Sequence, residues 1–182
     1  MPNREYENFE EEKENCRISL RSSQTDKVVR GGESLFDTIV YDNFDDEEED
    51  VKLESNSEEP IVYDMISDGV IRNDNGRIEL RYKECSEGLE NLSTTISFDE
   101  NERSVITISR TGDLRQAFVI KEGVRHFNVY STPYGPIEMC IWGRKVENEL
   151  TEEGGKIKLD YSVELKGMTA QRNKMEITVK KL

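Results

Sequence analysis

From Ile61 to the end of the chain, apolar residues recur at every second position in short runs, and turn residues part the runs before a 3.6-residue period can establish itself. Such a chain makes strands. In Arg77-Ile78-Glu79-Leu80-Arg81-Tyr82-Lys83 the pleat sends Ile78, Leu80 and Tyr82 to one face and the charged residues to the other. Ile157 to Leu165 alternates almost as strictly, and Cys16 to Arg21 places Cys16, Ile18 and Leu20 together. Ser104 to Ile108 is β-branched and runs on into Arg110-Thr111-Gly112, while Leu114 to Lys121 and Arg125 to Ser131 pair around Glu122-Gly123. Ile137 to Val146 is apolar on both parities, the pattern of a strand covered on both sides.

The punctuation between these runs is that of hairpins. Asn75-Gly76 tolerates the positive φ that two-residue turns demand, and Thr132-Pro133-Tyr134-Gly135-Pro136 and Glu153-Gly154-Gly155 mark two more reversals. With Ile61 to Ile71, Leu92 to Phe98 and a last run through Met175, Ile177 and Val179, the chain offers eight to ten antiparallel strands. Without helices to cover sheet edges, closure into a barrel is the arrangement that hides them. The expected fold is all-β, an antiparallel barrel, with Ile78, Leu80, Tyr82, Ile106, Ile108, Phe118, Ile157, Leu159, Tyr161, Ile177 and Val179 turned inward.

Charge divides the chain. Residues 1 to 60 carry 19 Asp and Glu against 7 Lys and Arg, whereas residues 61 to 182 carry 20 against 18. The domain reading is therefore an acidic N-terminal tail over 1–14 and a single barrel over 15–182, with a first strand at 15–22, an acidic flexible insert at 26–59 and the remaining strands in 60–182. The run Asp42 to Asp50 has the carboxylates of a calcium loop, but Phe44 stands at a ligand position and the sharp-turn glycine is missing. Like-charge repulsion makes it a solvated segment instead.

Composition narrows function mainly by exclusion. A net charge of −14 disfavours binding to nucleic-acid backbones. No apolar run approaches the roughly 20 residues that span a bilayer, and the N-terminus lacks the basic start and apolar centre of a leader, so a cytoplasmic protein without a membrane partner is expected. Cys16, Cys85 and Cys140 have unrelated spacings and His126 is the one histidine, which excludes a disulfide framework and a structural zinc site; no metal and no cofactor are expected. A nucleophile would have only His126 as imidazole base, so no catalytic residue is assigned.

Ser109-Arg110-Thr111-Gly112, Phe118, Tyr130-Ser131-Thr132-Pro133-Tyr134-Gly135, Gly155 to Tyr161 and Asn173 to Val179 follow one another in an order that resembles the bacterial YwiB-like domain of unknown function. The likeness covers Ile61 to Leu182 and the strand around Ile18. It implies a calycin-type, lipocalin-like β-barrel in a bacterial cytoplasm, and it carries over no catalytic residues. The acidic insert between the first two strands departs from the family pattern.

Candidate ligand-binding residues come from parity. Ser104, Ile106 and Ile108 carry Arg110 onto the inward face, where a charge needs a partner. Either Arg110 stacks on Trp142 and closes the barrel end through a cation–π contact, or it anchors the anionic group of a small ligand with His126 or Tyr130 beside it. The expected function is a non-enzymatic small-ligand-binding or structural module taking an apolar or anionic molecule. The alternatives are an enzyme with a polar site at the barrel mouth around Arg110, and an acidic interaction protein that docks on a basic partner.

Overall fold

The computed structural model describes residues 13–26, 59–84, 92–112, 116–132, 135–165 and 168–182; the acidic insert expected to be flexible lies, apart from its ends, outside them. Among the described residues ten antiparallel strands form one sheet: β1 (Cys16–Asp26), β2 (Ile61–Asp74), β3 (Arg77–Lys83), β4 (Ser93–Asp99), β5 (Val105–Thr111), β6 (Gln116–Lys121), β7 (Arg125–Thr132), β8 (Gly135–Asn148), β9 (Gly154–Leu165) and β10 (Met168–Lys181). There is no helix among the described residues. The order across the sheet is β6-β5-β4-β3-β2-β1-β10-β9-β8-β7, so the chain meanders outward in both directions from the β1–β10 pair. The sheet curls until its two ends meet, and the barrel is nearly closed.

The first strand is longer than the alternating run Cys16 to Arg21. Antiparallel pairing with β10 continues past Leu20↔Ile177 to Asp26↔Gln171, through residues whose polar side chains hide the strand signal. Between β2 and β3 the two-residue turn is as expected: Asn75 has φ 52° and Gly76 has φ 90°, linking the pair Asp74↔Arg77.

Closure is made at one short seam. β6 leads into β7 through a tight turn, yet the two strands do not pair. The turn docks on β8 instead. The Gly123 N–H donates to the Gly143 carbonyl at 2.9 Å, the Gly143 N–H donates to the Val124 carbonyl at 3.2 Å, and the Val146 N–H donates to the Glu122 carboxylate at 3.0 Å. Gly143 is required by this approach, because a Cβ there would collide with the Lys121 carbonyl. A bulge between Gly143 and Lys145 bends β8 at the same point.

All eleven residues assigned inward by alternation are buried. Registers stack them in rows: Leu80, Ile96, Ile108 and Phe118 lie side by side across β3, β4, β5 and β6. Ile18, Ile71, Ile78, Ile106, Ile120, Leu150 and Ile157 fill the same half of the barrel, each less than 2% exposed. The base is stoppered by Arg103, whose Nη1 donates to the Leu150 carbonyl at 2.9 Å while the guanidinium lies 5.6 Å from the Phe98 ring centroid. The Arg103 carbonyl in turn accepts from the Asn148 amide at 3.1 Å. Charge-assisted bonds of this kind contribute about 1.5–3 kcal/mol. Arg103→Ala is therefore expected to lower stability by about 1–3 kcal/mol in urea titration, and an unchanged midpoint would mean that the plug carries no load.

Cys16 belongs to this packed base. Burial pushes its thiol up to about 11, against the smaller pull of Lys181. In the folded protein Cys16 is expected to resist iodoacetamide at about pH 8 and to react once the chain is denatured; rapid labelling of native protein at Cys16 would contradict that burial.

Candidate ligand site at the barrel mouth

One rung above the apolar row the interior changes character. Tyr82, Thr94, Arg110 and Gln116 are register partners across the same four strands, so a polar row directly follows Leu80, Ile96, Ile108 and Phe118. Parity thus delivers Arg110 to the interior, as the alternation requires. Its side chain is 31% exposed, near the open end. Across the barrel, Gln171 and Asn173 on β10 and Ser22 and Gln24 on β1 continue the polar ring.

Arg110, Gln116, Gln171, Asn173, Ser22 and Gln24 border a cavity of about 310 Å³, with Phe118, Met139, Ile141, Tyr161 and Val163 as its apolar wall. The volume lies at the small end of ligand pockets, which run from about 300 to 1,000 Å³. The Phe118 and Tyr161 rings meet in a tilted arrangement, centroids 6.0 Å apart. Burial pushes the Tyr161 phenol above its ordinary range, with Arg110 pulling the other way. Tyr82 is also pushed up, first by burial and then by the Glu84 carboxylate. Both phenols stay protonated at neutral pH and act as hydrogen-bonding groups.

Glu84 is the residue that sequence reading missed. It continues the parity of Ile78, Leu80 and Tyr82 one step past the strand and is buried. Its Oε1 accepts from the Thr94 hydroxyl at 2.6 Å and stands 3.9 Å from Arg110 Nε, beyond hydrogen-bond reach. Arg110 Nε is buried and has no hydrogen-bond partner among the described residues. So are His126 Nε2 and Asn128 Nδ2. On β7, Phe127 and Val129 face solvent at about 70% exposure, which turns His126 and Asn128 to the interior; their register partners are Ile141 and Met139, two residues of the cavity wall.

The other two expected site residues stand differently. Tyr130 sits opposite Ile137 in β7, and its side chain is outside the described residues. Trp142 is not the stacking partner of Arg110. It follows Ile141 by one residue and so faces outward, where Arg125 and Arg144 lie 4.2 and 4.1 Å from its ring centroid. The arginine that closes a barrel end over an aromatic is Arg103 on Phe98, at the opposite end.

A wider concavity of about 410 Å³ lies against the outer face of β1, β8, β9 and β10. Its charges offset one another, with Lys158 between Glu147 and Glu176 at 3.8 and 4.0 Å and Lys145 on Glu147. No group of metal-ligating side chains occurs among the described residues, and no described helix is long and apolar enough to cross a membrane.

Fold and interior define a nearly closed antiparallel β-barrel, consistent with a calycin-like architecture, packed at its base and polar at its mouth. Residues 48–177 match the model of the family described as Domain of unknown function (DUF1934). The chain belongs to that family. It is also similar to the crystal structure of the ywiB protein from Bacillus subtilis, with a TM-score of 0.58 and 17% identity over 93% of this chain and 94% of that one. That likeness establishes the barrel fold. Among curated proteins, none matches.

Proposed function

We propose that the barrel is a non-enzymatic binding module that holds one small amphipathic molecule at its mouth. The observation that carries this reading is Arg110 Nε, a buried donor on the cavity wall that has no hydrogen-bond partner among the described residues, its nearest carboxylate standing 3.9 Å away. Buried donors are almost always satisfied, so an unsatisfied one beside a cavity marks where a bound acceptor belongs. The apolar wall receives the body of the ligand, and the ring of amides fixes its orientation. A cytoplasmic setting is consistent with Cys16 and Cys140, both buried and free.

Arg110→Met by itself would strand Glu84 as an uncompensated buried carboxylate and lower stability for that reason alone. The informative variant is Arg110→Met combined with Glu84→Gln, which removes both charges. Native mass spectrometry is expected to find a bound small molecule on the wild-type protein and none on the double variant, at similar thermal midpoints. Equal ligand occupancy in the two proteins would take Arg110 out of the site.

A further inference from the structure

Resting on that reading, we infer that the mouth selects an uncharged ligand rich in oxygen acceptors and rejects an anion. An interior arginine invites the opposite expectation, an anion anchored by the guanidinium. Glu84 changes that, because its buried carboxylate is 3.9 Å from Arg110 Nε and already balances the guanidinium charge.

A ligand carboxylate would place a second negative charge against one cation that already faces a buried carboxylate, and like charges at such short range repel. Asp26, held by the Gln24 amide at 3.0 and 3.2 Å, adds another carboxylate at this end. Lys174 borders the cavity but follows the inward Asn173 by one residue, so it turns outward, toward Asp160, whose carboxyl is held below the usual range first by the hydrogen bonds from Arg172 and to a lesser degree by this lysine. Of the two described cations that border the cavity, the one turned into it, Arg110, already faces a carboxylate.

What the site lacks is acceptors. Arg110 Nε on the cavity wall has no hydrogen-bond partner among the described residues, and Asn128 Nδ2 and His126 Nε2, opposite the wall residues Met139 and Ile141 on the neighbouring strand, have none either. Gln24, Gln116, Gln171 and Asn173 line the mouth with amides that recognise neutral polar groups in either sense. A carbonyl or amide oxygen directed at Arg110 Nε, with an aliphatic or aromatic body against Phe118, Met139, Ile141 and Val163, satisfies the orphaned donor without adding charge.

The test uses two probes with one body and different head groups, isovaleramide and isovalerate, titrated into the full-length protein and followed by NMR at the Arg110 side chain and the Phe118, Ile141 and Val163 amides. Wild-type protein is expected to bind isovaleramide about tenfold or more tightly than isovalerate. Glu84→Gln, which frees the charge of Arg110, is expected to reverse that order. Tighter isovalerate binding by wild-type protein, or an order unchanged by Glu84→Gln, overturns the neutral-ligand inference and leaves a binding cavity in place. If neither probe shifts any cavity resonance in either protein, the binding reading falls along with it.

Discussion

Gly143→Ala is expected to destabilise the barrel by more than about 2 kcal/mol and to loosen its closure, although it adds a single methyl group. The added carbon meets the Lys121 backbone carbonyl, and a backbone atom cannot rotate aside as a side chain can. Relief requires the β6–β7 turn to lift away from β8, which would break the bonds joining Gly123 and Val124 to Gly143 and the Glu122–Val146 contact. Those are the bonds that close the sheet on itself. Hydrogen exchange should therefore accelerate at Gly123, Gly143 and Val146 before it does at β1 or β10. A variant with wild-type melting temperature and unchanged exchange there would show that the seam is not where the barrel closes.

The second large effect lies in the packed half. Ile96 is fully buried between Leu80 and Ile108 in the apolar row, with strands on both sides that cannot collapse without disturbing their registers. Ile96→Ala is expected to cost about 2–5 kcal/mol, the range for an isoleucine removed from a site that relaxes little. Thr94 points the same way one rung higher but faces the polar row. Thr94→Val keeps its shape and removes the hydroxyl that donates to Glu84, leaving that carboxylate less satisfied. Urea titration of Ile96→Ala should move the midpoint at constant m-value; a loss under about 1 kcal/mol would mean that the base is loosely filled.

Strand parity was the legible part of the sequence, because one buried face forces period two wherever a strand is half covered. It placed Ile78, Leu80, Tyr82, Ile106 and Ile108 inside and carried Arg110 inside with them. The upper part of β1 was less legible, since Ser22, Gln24 and Asp26 line a polar mouth and so lack the apolar contrast on which alternation depends. Partners were the illegible part. Trp142 and Arg110 are both near barrel ends in sequence terms, yet one residue of parity puts the indole outside between Arg125 and Arg144. Glu84 follows Tyr82 by two and obeys the same parity rule, but it lies one residue past the strand's end at Lys83, where alternation carries no signal. The seam between the β6–β7 turn and β8 has no signal in a local pattern, because it joins residues that alternation treats separately and depends on a single glycine at a close approach.

The base of this barrel is packed shut, and the proposed binding reading assigns a small molecule to its mouth. NMR screening of full-length protein against a library of small neutral and charged fragments tests it most directly. Fragments that bind are expected to shift a single cluster of resonances, at Arg110, Gln116, Phe118, Ile141, Tyr161 and Asn173, with Ile18, Ile78 and Ile106 unmoved. Fragments that leave this cluster unchanged, or whose shifts scatter over the outer faces of the strands, would contradict it.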